Sequence, residues 1–176
     1  MTNIRAIAAG ILVEVSQNGR SLSEQLPYRN GSLTAADEAL LQQLCYGVCR
    51  WQIRLLSLVR PLMNKPLKEK DSDILMLLLL GLYQLAFMRT PAHAAINETV
   101  NAVKILGKPW ARGLINAVLR RFQREQEQII DKSAPSTPFK YSHPAWLLKR
   151  LQAAWPAQWQ AIGEANNHKA SMTVRW

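Results

Sequence analysis

The run Ile74–Met88 constrains the fold more than any other part of the chain. It is 15 residues long and apolar almost all round, with Tyr83 and Gln84 as its polar interruptions. A helix without a polar face has to be surrounded by other helices. The run is short of a membrane span, which takes about 20 apolar residues. It has the length of a central core helix instead. The rest of the chain also repeats at three- and four-residue steps. The expected class is therefore all-α, a helical bundle closed around this segment.

Asn3 to Asn18 reads as a helix, with Ile4, Ile7, Ala8, Ile11, Leu12 and Val15 on one face and Gly19 as its stop. Ser21-Leu22-Ser23-Glu24 fits a capping box and predicts a short helix to Leu26. Pro27–Leu33 reads as a loop turning at Asn30-Gly31. Thr34 caps the next helix, and Asp37 and Glu38 stand in its first turn, where the helix dipole favours them. A related helix is expected over Trp51–Arg60, after a kink near Gly47–Trp51. Pro61 and Pro66 bracket the connection to the apolar helix, Asp71–Met88. Ala92–Leu106, ended by Gly107, and Trp110–Ile130 follow as helices. Residues 131–142 carry Pro135 and Pro138 among Lys, Ser and Thr, and read as a linker or long loop. Two short helices are expected at about Pro144–Ala153 and Pro156–Asn167. Met172–Trp176 looks extended, like the first strand of something further on. The division predicted is 1–130, 131–142 and 143–176.

Charge separates the halves of the chain. The net charge is +10. Residues 1–100 hold ten Lys/Arg and eight Asp/Glu, a net of +2, whereas residues 101–176 hold twelve and four, a net of +8. A regional excess of this kind points to a polyanionic partner, nucleic acid before an anionic membrane surface. No signal peptide is evident at the N-terminus, since Ile7–Val15 contains Gly10 and Glu14. Cys45 and Cys49 lie four apart in a helical pattern, a spacing awkward for a disulfide. They read as two packed thiols in a reducing, cytoplasmic setting.

Catalytic patterns are scarce. Nucleotide and S-adenosylmethionine sites use closely spaced glycines so that backbone can approach the ligand. Here the nearest pair is Gly107 and Gly113. His93, His143 and His168 are dispersed, with no carboxylate or thiol at ligand spacing, so no metal site is expected. Cys45 and Cys49 sit among Leu44, Val48 and Trp51, which favours packing over nucleophilic chemistry. Glu98 reads as a solvated or capping side chain near a helix start. No catalytic residue and no cofactor-binding residue is assigned.

The basic residues offer more. Arg120, Arg121 and Arg124 fall on one side of a helix, with Arg112 about two turns earlier and Lys104 and Lys108 just before. Such a stripe contacts phosphates by charge and by bidentate hydrogen bonds, or else is simply a solvated face. Six tryptophans, at 51, 110, 146, 155, 159 and 176, offer stacking surfaces, but Trp146, Trp155 and Trp159 read first as the packing core of the two short helices.

Four stretches then carry a resemblance. They are Tyr46-Gly47-Val48-Cys49-Arg50, Leu80-Gly81-Leu82-Tyr83-Gln84-Leu85, Pro91–Val100 and Gly113-Leu114-Ile115-Asn116-Ala117-Val118-Leu119-Arg120. Together they resemble a NusB-type RNA-binding domain. His143-Pro144-Ala145-Trp146-Leu147-Leu148-Lys149-Arg150 and Glu164-Ala165-Asn166-Asn167 are similar to the segment that follows this domain in the small-subunit ribosomal RNA methyltransferase B family, also called Fmu or Sun. Each motif is weak alone, and their order and spacing carry the assignment.

The resemblance implies a NusB-like helical bundle, followed by short helices leading toward a catalytic domain that this sequence does not include. It implies a parent enzyme that methylates carbon 5 of a ribosomal RNA cytosine, with S-adenosylmethionine as cofactor of that parent and none in this chain. The chain itself is expected not to be an enzyme. Its expected partners are small-subunit ribosomal RNA, its own C-terminal catalytic domain and a ribosomal protein, with no membrane. RNA contacts are expected at Lys108, Arg112, Arg120, Arg121 and Arg124, and at Arg5 by analogy with the N-terminal helix of NusB. The alternatives are a protein-docking module and a free-standing antitermination factor. The match from His143 onward disfavours the latter.

Overall fold

The computed structural model describes residues 3–29 and 33–168. Its helices are α1 (Ile4–Asn18), α2 (Leu22–Arg29), α3 (Ala35–Val59), α4 (Ser72–Phe87), α5 (Ala92–Ile105), α6 (Ala111–Ser133), α7 (Thr137–Tyr141), α8 (Ala145–Ala154) and α9 (Trp159–Ala165). Single 3₁₀ turns at Arg60–Leu62 and Glu69–Asp71 join α3 to α4. Among the described residues there is no strand, and no helix is long and apolar enough to cross a membrane.

The all-α bundle holds. α4 is buried continuously from Met76 to Gln84. It packs against α1, α3, α5 and α6, so every side of its apolar surface finds a partner. Asn3 caps α1 by accepting from the Arg5 and Ala6 backbone amides, at 2.9 and 3.3 Å. Thr34 caps α3 through its hydroxyl, which accepts from the Asp37 amide at 3.2 Å and donates to the Asp37 carboxylate at 2.8 Å. Of the expected capping box at α2, the Ser21 hydroxyl does accept from the Glu24 amide at 3.3 Å.

Three local expectations are corrected. α2 continues through Pro27 to Arg29 rather than stopping at Leu26. The fixed φ of proline is compatible with a helix, and its missing N–H costs one bond near the helix end. The Asn30-Gly31 turn signal lies outside the described residues, as does the extended run Met172–Trp176.

α3 is one helix of 25 residues, without the break expected near Gly47–Trp51. Gly47 is there for close approach. A Cβ at this position would lie 2.0 Å from Tyr83 Cζ, so only glycine lets α3 and α4 cross here. Gly81 plays the reciprocal part on α4, where a Cβ would come within 2.6 Å of the Leu119 methyl groups on α6.

Residues 131–142 are not a loop. α6 runs on to Ser133, and α7 starts with Pro138 in its first turn, where a proline is well placed. Phe139 and Tyr141 are each only 2% exposed. α7 packs on α3, and the Arg54 guanidinium of α3 lies 4.6 Å from the centre of the Phe139 ring. The prolines dominated the sequence reading. Two buried aromatics decide the structure.

Candidate nucleic-acid interface

α6 sets out the basic side chains. It buries Ile115, Val118, Leu119 and Phe122 against the core, which turns Arg112, Arg120, Arg121 and Arg124 to solvent. At 3.6 residues per turn, Arg120 and Arg124 sit about 40° apart around the helix, with Arg121 and Arg112 on either flank. The four therefore occupy a broad arc over about 18 Å of helix length.

Their neighbours differ. Arg121 Nε donates to Glu125 Oε2 at 2.9 Å, and Arg124 Nη2 donates to Glu125 Oε1 at 3.3 Å. The bond from Arg121, with both arginine charges behind it, holds the Glu125 carboxyl below its ordinary value. Glu125 is also where α6 kinks, with φ −112° and ψ 19°. Arg120 Nε donates to Asn116 Oδ1 at 3.0 Å. Among the described residues, Arg112 is the one candidate cation with no side-chain partner in the protein.

Lys108 and Arg5 are held more firmly. Gly107, at φ +69°, follows α5. The Gly107 amide donates to Lys104 O and the Lys108 amide to Val103 O, the paired bonds of a Schellman end. That turn directs Lys108 Nζ to Asp73 at 2.6 Å, Asp71 at 3.0 Å and the Lys70 carbonyl at 2.6 Å. Burial draws the Lys108 ammonium down, but the hydrogen bonds and charges of Asp73 and Asp71 outweigh it and leave it above the ordinary lysine value. The ammonium thus ties the start of α4 to the α5–α6 turn.

Arg5 faces inward between α1 and α4, donating to Gln84 Oε1 from Nε at 3.2 Å and from Nη2 at 3.0 Å. Gln84 is fully buried. Its Nε2 donates to Leu80 O at 3.0 Å and to Thr99 Oγ1 at 3.3 Å. Burial lowers the Arg5 guanidinium below its ordinary value, against the opposing charge of Glu98. Glu98 in turn accepts from Asn3 Nδ2, on its carbonyl at 3.0 Å and its carboxylate at 3.4 Å. Arg5 and Lys108 are bound into the fold, then, while the α6 arginines border open surface.

The sequence reading missed a polar groove of 590 Å³ between α5 and α6, lined by Asn97, Val100, Asn101, Arg112, Gly113 and Asn116. The signal was present. Asn97 and Asn101 are four apart on α5, and Arg112, Asn116 and Arg120 form a four-residue series on α6.

The tryptophans are placed differently from expectation. Trp146 is 61% exposed and Trp155 50%, so neither is core, while Trp159 is half-buried edge-on against Tyr141 at 5.2 Å. Trp146 lies in α8, Trp155 caps its C-terminal end and Trp159 begins α9. Trp51 stacks on Phe87 at 4.9 Å, and Trp110 is exposed beside Arg112 in sequence. Trp176 lies outside the described residues. Cys45 is buried, and burial pushes its thiol up to about 12, with Cys49 raised for the same reason. Cys45 lies in the core and Cys49 packs against it. His143 Nδ1 meets the Tyr141 carbonyl and its Nε2 faces Asn166 Nδ2 at 3.3 Å.

The model of the NusB family matches residues 2–124. A second model, Methyltr_RsmF/B-like, ferredoxin-like domain, matches residues 143–176. The chain is 52% identical over 173 residues to the ribosomal RNA small subunit methyltransferase B of Vibrio vulnificus, covering 98% of this chain and 41% of that protein. It is 50% identical over 173 residues to the protein of the same description from Vibrio cholerae, covering 98% and 40%. With the one from Erwinia tasmaniensis it shares 46% identity over 175 residues, covering 99% and 41%. The chain spans about two fifths of the length of these relatives. Both parts of the resemblance read from the motifs are found, in the same order.

Proposed function

Because the chain belongs to the NusB family, we propose that its helical body is an RNA-holding module serving a small-subunit ribosomal RNA methyltransferase. The observation that carries the reading is the solvent face of α6, where Arg112, Arg120, Arg121 and Arg124 stand exposed in a chain of net charge +10. The relatives that align with nearly all of it are described as ribosomal RNA small subunit methyltransferase B. Arginines of this kind hold phosphates by charge and by paired hydrogen bonds. Such contacts position an RNA without reading its sequence. The choice of cytosine then falls to the methyl-transferring part of the protein, in the cytoplasm where small subunits are made.

S-adenosylmethionine belongs, on this reading, to that other part. Four described glycines of the bundle are committed to packing and caps. Gly47 and Gly81 admit neighbouring side chains, and Gly19 and Gly107 end helices. None forms the close-approach loop such a cofactor uses.

A docking role is favoured toward the C-terminal part of the chain, where Trp146 and Trp155 stand exposed in the segment that matches the ferredoxin-like model. Their natural partner is the remainder of the same protein, with a ribosomal protein as a further partner of the bundle.

The test is a titration of the chain with a small-subunit ribosomal RNA fragment across salt concentrations. Saturable binding with a steep salt slope is expected, and Arg120→Glu with Arg121→Glu should weaken it and flatten the slope by about 0.7 per lost phosphate contact. Unchanged affinity in a folded double variant would remove the α6 face from the reading. Binding that ignores salt would point to apolar docking.

A further inference from the structure

We propose that the α5–α6 groove seats one unpaired RNA base, with the flanking phosphates held by Arg112 and Arg120. This deepens the RNA-holding reading above and rests on it.

The lining of the groove is rich in amides. Three of its side chains, Asn97, Asn101 and Asn116, are carboxamides. Each carboxamide presents both donor and acceptor. A phosphate only accepts, so amide oxygens find nothing to do against it. The edge of a nucleobase displays donors and acceptors together, and carboxamides pair with such edges in two-point contacts. Asn116 is already oriented for this. Its Oδ1 accepts from Arg120 Nε at 3.0 Å, which leaves its NH₂ for a ligand. Asn97 and Asn101 are exposed one turn apart on the facing helix. Val100, 8% exposed, supplies an apolar floor between them.

Shape and charge agree. The groove measures 590 Å³, within the range of small-molecule sites, about 300–1,000 Å³. Arg112 lines it and Arg120 borders it through Asn116, so cations stand where the backbone of a splayed nucleotide would run. A base inside an A-form duplex does not present its edge to side chains of this kind. Sequence-reading contacts to RNA are made with unpaired bases.

Gly113 adds an independent point. Glycine is the weakest helix former after proline, yet Gly113 stands in the first turn of α6. Nothing lies within 4 Å of where its Cβ would be. Gly47 and Gly81 are explained by neighbours that would clash with a Cβ. Gly113, like Gly10 in α1, has no such neighbour, but of the two it is Gly113 that borders the groove. A side chain there would fill the space a base needs, without disturbing the core.

The experiment uses the whole chain and three probes of equal length: an unpaired oligoribonucleotide of mixed sequence, the same ribose-phosphate backbone without bases, and a blunt RNA duplex. The unpaired probe should bind at least about fivefold more tightly than the baseless one, the lower end of what a lost two-point base contact costs. Gly113→Leu should abolish that difference while leaving the affinity for the baseless probe unchanged. Gly113→Ala, checked for helicity alongside it, should lose only part of that difference. Asn97→Ala with Asn101→Ala should act like Gly113→Leu. Equal binding of the base-bearing and baseless probes, or a Gly113→Leu chain that still prefers bases, would overturn the groove assignment and leave the phosphate-holding face intact. Failure of all three probes to bind would overturn both.

Discussion

Arg5 and Gln84, 79 positions apart in sequence, are joined by two hydrogen bonds onto a single buried oxygen, at 3.2 and 3.0 Å. Arg5→Ala leaves Gln84 Oε1 buried without a donor, an omission that costs about 1–3 kcal/mol. The expected outcome is a lower denaturation midpoint with the salt slope of RNA binding unchanged. A variant of wild-type stability with weakened RNA binding would return Arg5 to the contact surface.

Lys108 acts between two carboxylates, and its ammonium is held above the ordinary lysine value of 10.5. A group raised on folding stabilises fully below its unfolded value and loses that contribution as pH climbs through the folded one. The link to Asp71 and Asp73 is therefore expected to be constant from neutral pH to about 10 and to fade above 10.5. Lys108→Met should cost about 1 kcal/mol at neutral pH. The gap between its stability and that of the wild type should close in strong alkali. A gap that persists there would place the effect in packing of the methylenes.

Glu125 holds both Arg121 and Arg124. On the proposed function, Glu125→Gln releases both guanidinium groups and tightens binding. Exposed ion pairs are weak, so the gain expected is about threefold at moderate salt, shrinking as salt rises. A loss of affinity would show that the carboxylate orders the arginines for RNA instead of withholding them.

Gly47→Ala should be severe, because the added methyl meets the Tyr83 ring at 2.0 Å. Overpacking of this kind typically costs about 1–3 kcal/mol. Tyr83→Ala in the same chain should recover part of the loss, and a double-mutant cycle in denaturant measures the coupling. Additive effects would mean that α3 and α4 shift apart instead of clashing.

Periodicity and caps made α1, α4, α5 and the two short terminal helices legible, because each has an apolar face and a recognisable end. Gly47 was legible as unusual but not in its purpose, since a glycine that admits Tyr83 looks in sequence like one that bends a helix. The prolines at 135 and 138 outweighed Phe139 and Tyr141 for a similar reason. Turn-forming residues are visible one at a time, whereas burial depends on a surface supplied by α3. The basic stripe of α6 could be read directly. That Arg5 and Lys108 were already occupied could not, because Gln84, Asp71 and Asp73 are far from them in sequence.

Phe139 has a consequence for how such a chain can be assembled over evolutionary time. A segment that is shuffled between genes has to bring its own filling with it. Here a ring from α7 is buried in the same core as α3 and lies under Arg54. A joint placed at the end of α6 would leave an open socket on one fragment and a bare aromatic on the other. The smallest heritable block in this chain that keeps the α3 core whole therefore extends at least through Phe139, and a joint before that residue is expected to be tolerated less well than one after it.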